Sequence, residues 1–174
     1  MKNIGIIKRI SYLLPPQILK NLYYTLIYPY LTYCNLIWTA TYPSHLATLQ
    51  ILQKKALRII TNSSYNTHTK PLFYNLNLLN IKQIKHVQIC ELMYRYEKNL
   101  LPLAFVSFFT PTTQTIQTRS KRSFLCPYAR TNIRKFSIGY QGPLIWNNLP
   151  SCIKNATGFP QFKKLTRAYI QNNV

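Results

Sequence analysis

Apolar residues recur along this chain at the three- and four-residue intervals of helices. Ile4, Ile7 and Ile10 sit among basic residues until Pro15-Pro16 ends the run, the pattern of a helix tail stopped by proline. The run opens in mid-pattern, so the expectation is that Met1 does not begin the fold. Pro16 suits the first turn of a second helix over 17–38, bent or interrupted at Pro29, whose missing N–H and crowding ring disturb the previous turn. Its Leu, Ile and Tyr content predicts burial. Tyr23, Tyr24, Tyr28, Tyr30 and Tyr33 are either core residues whose hydroxyls reach partners or a platform for stacked bases.

A turn at Tyr42-Pro43-Ser44 can cap the third helix, over 45–61, which carries the clearest signal. At roughly 100° per residue, Leu46, Leu49, Leu52, Ala56, Leu57, Ile59 and Ile60 share one broad arc, and Lys54, Lys55 and Arg58 gather opposite. Only Ile51 breaks the division. A polar loop over 62–69 and a short apolar stretch over 71–79 lead to a helix over 81–99, whose mixed apolar and basic residues would fit burial on several sides. Pro102 starts a short apolar turn ending at Phe109. From 110 to 135 the composition shifts to Thr, Ser, Gln, Pro and cations, the mark of a linker. Beyond Gly139 come a Gly-Pro turn at Gly142-Pro143, the apolar Leu144-Ile145-Trp146, a Leu149-Pro150 stop and a terminal helix from Phe159. On that helix Phe159, Phe162, Leu165, Tyr169 and Ile170 share one side, and Lys163, Lys164 and Arg167 the other.

Charge sharpens this picture. Lys and Arg total 22 against two acids, Glu91 and Glu97, with no Asp, for a net charge of +20. Such a surplus calls for a polyanionic partner. With no acids to balance them, Lys54, Lys55 and Arg58 are expected to meet phosphate rather than merely solvate a core helix. Arg119, Lys121, Arg122, Arg130, Arg134 and Lys135 crowd the linker and read as a nucleic-acid arm, with a solvated loop or a nuclear-localisation signal as the other uses of such a run. Lys163, Lys164 and Arg167 repeat the design of the third helix.

The acid count also limits the chemistry. Polymerases and nucleases hold two metal ions with several carboxylates, and glycosidases need a facing pair. Glu91 and Glu97, six apart on one helix, point to different faces and supply neither. His45, His68 and His86 are followed two residues on by Ala47, Lys70 and Gln88, so the H-x-[DE] pair usual in a non-haem iron site is missing. Cys34, Cys90, Cys126 and Cys152 contain no C-x-x-C pair and read as reduced, structural thiols of an intracellular protein. Four glycines leave no phosphate-cradling loop. No metal, cofactor or small-molecule substrate is expected. Residues 22–40 are long enough to span a bilayer, but Pro29, Asn35 and Tyr rings at the centre of such a span argue for a buried helix hairpin. No signal-peptide pattern follows Met1.

Taken in order, several blocks resemble one family. Ile6-Ile7-Lys8-Arg9-Ile10, Leu14-Pro15, and Leu22-Tyr23 through Tyr28-Pro29-Tyr30-Leu31-Thr32-Tyr33-Cys34-Asn35-Leu36-Ile37-Trp38 resemble the region downstream of the polymerase palm in non-LTR (LINE-type, jockey/CR1-like) retrotransposon reverse transcriptases. The stretch from Leu49 to Ile60, then His68-Thr69-Lys70-Pro71-Leu72-Phe73, and last Tyr140-Gln141-Gly142-Pro143-Leu144-Ile145-Trp146-Asn147-Asn148-Leu149-Pro150 are similar to its later blocks, in the same order. In that family the acidic motifs lie upstream and the first helices correspond to the thumb that grips the template–primer duplex. The resemblance therefore implies a supporting role on RNA and DNA without polymerase activity. The N-terminal segment also resembles a short family named after the N-terminus of an AlkB-type alkylated-DNA-repair homologue, but the missing iron triad and Gly-rich turn speak against dioxygenase or methyltransferase chemistry.

The reading is a mainly α chain with a helical thumb-like region over 1–66, a helical connector over 67–109, a basic linker or arm over 110–138 and a small helical module over 139–174. Its expected function is non-catalytic contact with RNA and DNA backbones, with little sequence preference. The alternatives are a structural module that meets an acidic protein or a membrane surface, and a decayed transposon reading frame.

Overall fold

A computed structural model describes residues 2–112 and 123–173. Among these residues the chain is mainly α, as the pattern predicts: eleven α-helices, one 3₁₀ turn and a lone antiparallel bridge between Pro111 and Phe124. It divides into two compact units, Met1–Asn35 with Tyr42–Ile84, and Leu36–Thr41 with Lys85–Val174.

In the first unit α1 (Lys2–Ile10) ends before the proline pair, and Pro16 opens α2 (Pro16–Leu26). The helix expected over 17–38, bent or interrupted at Pro29, is three separate helices. Ile27 separates α2 from α3 (Tyr28–Thr32), where Pro29 falls in the first turn and its missing N–H costs nothing. Cys34, with a left-handed φ of 47°, then separates α3 from α4 (Asn35–Trp38), of which only Asn35 belongs to the first unit. The third predicted helix is α5 (Pro43–Ile60). It starts earlier than expected: Pro43 takes the first helical position and Tyr42 the cap, without a side-chain capping bond. The apolar stretch after it folds as α6 (Thr69–Asn75).

The buried arc of α5 is Leu46, Gln53, Ala56, Leu57 and Ile60, so a glutamine sits where the apolar pattern alone would not place one. Leu49 is 37% exposed and Ile51 61%. The hydrogen-bond partners of Gln53, Tyr23, Leu79 and Ile81, are buried, as are Ile7, Leu19, Leu57 and Leu78 of the same unit.

Three helices end alike. After α5 the Ser63 N–H reaches the Arg58 carbonyl and the Asn62 N–H that of Ile59; after α6, Leu78 and Asn77 make the same pair to Phe73 and Tyr74. After α7 (Ile81–Glu97), Leu100 and Asn99 do so to Arg95 and Tyr96. These are Schellman motifs, and Asn62, Asn77 and Asn99 hold the left-handed position with φ of 48°, 52° and 55°. In a chain poor in glycine, asparagine takes this place because its short side chain tolerates the conformation. At its start α7 has a capping box: the Gln83 N–H donates to Asn80 Oδ1 at 2.9 Å, and the Asn80 N–H to Gln83 Oε1 at 3.1 Å.

In the second unit α7 buries Val87, Ile89, Cys90, Met93 and Tyr94, which accounts for its lack of an apolar stripe. The chain continues through a 3₁₀ turn (Leu103–Phe105), α8 (Asn132–Phe136), α9 (Ile138–Asn148), α10 (Ser151–Lys154) and α11 (Phe159–Asn173). Tyr94 stacks on Phe162 at 4.3 Å, with Trp146 behind at 5.8 Å. The expected Gly-Pro turn is absent; Pro143 lies inside α9. Burial of Gly142, Pro143 and Trp146 outweighs the lost backbone bond, and a Cβ on Gly142 would come within 2.9 Å of Met93 Sδ and of the Phe109 ring. On α11 the buried line is Phe162, Thr166 and Ile170, with Leu165 38% exposed, so the apolar side is narrower than its pattern suggests.

No helix among the described residues is long and apolar enough to cross a membrane.

Candidate nucleic-acid interface

The two acids of the chain both belong to α7 in the second unit, so the first unit carries cations and no acidic side chain. Three of those cations, Lys8, Lys55 and Arg58, come together where α1 packs on α5. Helical spacing puts Lys55, Arg58, Ile59 and Asn62 along one edge of α5, and with Lys8 and Ser11 from α1, and Ser63 and Tyr65 from the following loop, they line an open cleft of about 320 Å³. Lys54 is exposed but lies outside this lining.

Arg58 is held rather than free to swing. Its Nε–H donates to the Thr67 carbonyl at 3.2 Å, and its guanidinium carbon lies 5.7 Å from the centre of the Tyr65 ring, within cation–π range. The Schellman motif shapes the same corner. It ties up the carbonyls of Arg58 and Ile59, while the Thr61 N–H and hydroxyl both reach the Leu57 carbonyl at 3.0 Å. The end of α5 therefore presents side-chain cations rather than open carbonyls.

The other expected cations fall in the second unit. Arg134 and Lys135 are exposed on α8, whose first turn is capped where the Arg134 N–H donates to Thr131 Oγ1 at 3.4 Å; Arg130 is exposed just before it. Arg119, Lys121 and Arg122 lie outside the described residues. Beside the Pro111–Phe124 bridge the Thr112 N–H donates to the Ser123 carbonyl and the Leu125 N–H to the Thr110 carbonyl, and Asn147 Oδ1 accepts from the Ser123 and Phe124 N–H groups. On α11 Lys164 is exposed, Arg167 is half-buried, and Lys163 pairs with Glu91 at 3.4 Å. No protein-family model matches the chain, and neither does any curated protein or solved structure.

Among the described residues no group of His, Cys, Asp or Glu is placed to hold a metal ion. The four cysteines are free, Cys90 buried and Cys34 and Cys152 exposed. The tyrosine set divides: Tyr23 is core, whereas Tyr30 and Tyr33 are exposed. The sequence pattern singles out Lys55 and Arg58 but not Lys8, Ser11 or Tyr65. Lys8 follows Ile7 on an amphipathic helix, a weak signal, and only the packing of α1 on α5 brings it beside them.

Proposed function

We propose that this chain is a non-catalytic, nucleic-acid-contacting part of a non-LTR retrotransposon RNA-directed DNA polymerase, acting inside the cell on RNA and DNA backbones. The observation that carries the reading is the acid-free first unit, whose Lys8, Lys55 and Arg58 converge on one cleft. Phosphate is the partner that suits them. Arg58 offers a planar fork that matches phosphate oxygens, and lysine a compact charge that binds them from many directions. Contacts of this kind position a protein on the backbone and read little sequence. The family assignment rests on the collinear blocks from Ile6 to Pro150. The function of a thumb, gripping duplex from one side, agrees with a positive surface borne on helices.

The test is binding of the whole chain to RNA–DNA hybrid, DNA duplex and anionic vesicles at matched charge. The reading expects nucleic acid to be held more tightly than vesicles. Preference for vesicles over every nucleic acid would overturn it and favour a membrane-surface module.

A further inference from the structure

Tyr65 stands at the mouth of the cleft with 81% of its surface exposed, and Arg58 holds one side of its ring. A large aromatic fixed beside three cations is more than a phosphate site needs. We infer that the cleft takes one nucleotide of a single-stranded polynucleotide, its phosphate among Lys8, Lys55 and Arg58 and its base stacked on Tyr65. This deepens the proposed function and rests on it.

The electrostatics favour an anion despite an unfavourable feature. Both α1 and α5 bring their C-terminal ends to the cleft, each worth roughly half a negative charge. Three side-chain cations outweigh that sum, and the carbonyls of Arg58 and Ile59 already have backbone partners. The cleft, at about 320 Å³, lies at the small end of ligand sites, suited to a single unit rather than a groove for a helix. A base can lie on a protein ring only when it is out of the duplex stack, which selects single strands, loops or unpaired ends. Aromatic stacking tolerates any base, so the site adds strand selectivity without sequence selectivity.

The experiment compares the whole chain on a single strand of about twelve nucleotides and on an abasic strand with the same number of phosphates. Wild type should bind the ordinary strand more tightly. Tyr65→Ala should lower that affinity by about 5- to 140-fold, towards the abasic value, and change abasic binding far less, by no more than the loss of the Arg58–Tyr65 contact accounts for. Tyr65→Phe should keep the wild-type preference, since it keeps the ring. The double variant Lys8→Ala/Lys55→Ala should weaken both strands alike. If wild type binds both strands equally, or Tyr65→Ala behaves as wild type, the nucleotide site is wrong while backbone binding stands. If wild type binds neither strand nor any hybrid or duplex, the proposed function fails and takes this site with it.

Discussion

Gln53 and Tyr23 meet in the core of the first unit, where the amide nitrogen of Gln53 donates to the phenol oxygen at 2.9 Å. The same nitrogen donates to the Leu79 carbonyl at 2.9 Å, and the amide oxygen accepts from the Ile81 N–H at 3.2 Å. One buried side chain thus joins α2, α5 and the start of α7. The leucine that the apolar arc would predict at this position would leave three buried polar groups without this partner. Gln53→Leu should cost about 3 kcal/mol or more, at about 1–3 kcal/mol per orphaned group, and Tyr23→Phe only about 1 kcal/mol. Urea unfolding checks this, and a neutral Gln53→Leu would show that the amide is incidental.

Alkaline pH should weaken the fold. Burial pushes the Cys90 thiol from 9.0 to about 12, with the Glu91 charge adding to the shift. Burial likewise pushes Tyr23 from 10.0 to about 12, against the bond from Gln53 and with small additions from Tyr24 and Tyr28. Both folded values lie above the unfolded ones, so the native chain holds protons that the unfolded chain has lost. Their contribution is complete below pH 9.0 and declines as pH rises towards about 12. Unfolding free energy should fall across this range, and Cys90→Ala should flatten the slope by about 1.4 kcal/mol per pH unit. An equal slope in the variant would contradict this.

Two glycines of α9 should respond with opposite sign to alanine. At Gly139 nothing lies within 4 Å of an added Cβ, so Gly139→Ala should stabilise by up to about 1 kcal/mol. Gly142→Ala gains the same helix propensity but meets Met93 and the Phe109 ring. Overpacking costs about 1–3 kcal/mol, so a net loss of up to about 2 kcal/mol is expected. Thermal unfolding of the pair checks this; stabilisation by both would mean that Phe109 yields readily.

Asparagine at the helix ends gives a third contrast. At Asn62, Asn77 and Asn99, replacement by Gly should be neutral or stabilising, and by Ala should cost about 1–2 kcal/mol each, because glycine has no Cβ to clash and asparagine tolerates the left-handed conformation, whereas alanine has neither advantage. Alanine variants as stable as glycine variants would argue against these caps.

Much of the fold is legible because helix signals are local. The three- and four-residue spacing in α5 and α11, and the proline stops after α1 and α9, need no knowledge of the rest of the chain. The start of α7 is fixed by a capping box of Asn80 and Gln83 that the sequence pattern does not single out, because there the apolar stripe fails. What escapes local reading is decided by packing. Pro143 stays helical because Gly142 and Trp146 are buried around it, and Gln53 enters the core because Tyr23, Leu79 and Ile81 offer it partners. The candidate interface divides in the same way. Lys55 and Arg58 stand out on one helix, but Lys8 and Tyr65 join them only through tertiary contact and a loop turn.

Salt dependence of binding separates phosphate contact from mere solvation, because a protein that neutralises phosphates releases their counterions. The affinity of the whole chain for RNA–DNA hybrid should fall steeply and linearly on a log–log plot against salt. Replacing Lys8, Lys55 and Arg58 together by Ala, with folding verified by circular dichroism, should reduce that slope by roughly 2 to 3. An unchanged slope in a folded variant would mean that these helix faces are solvated and that nucleic acid is not held by them.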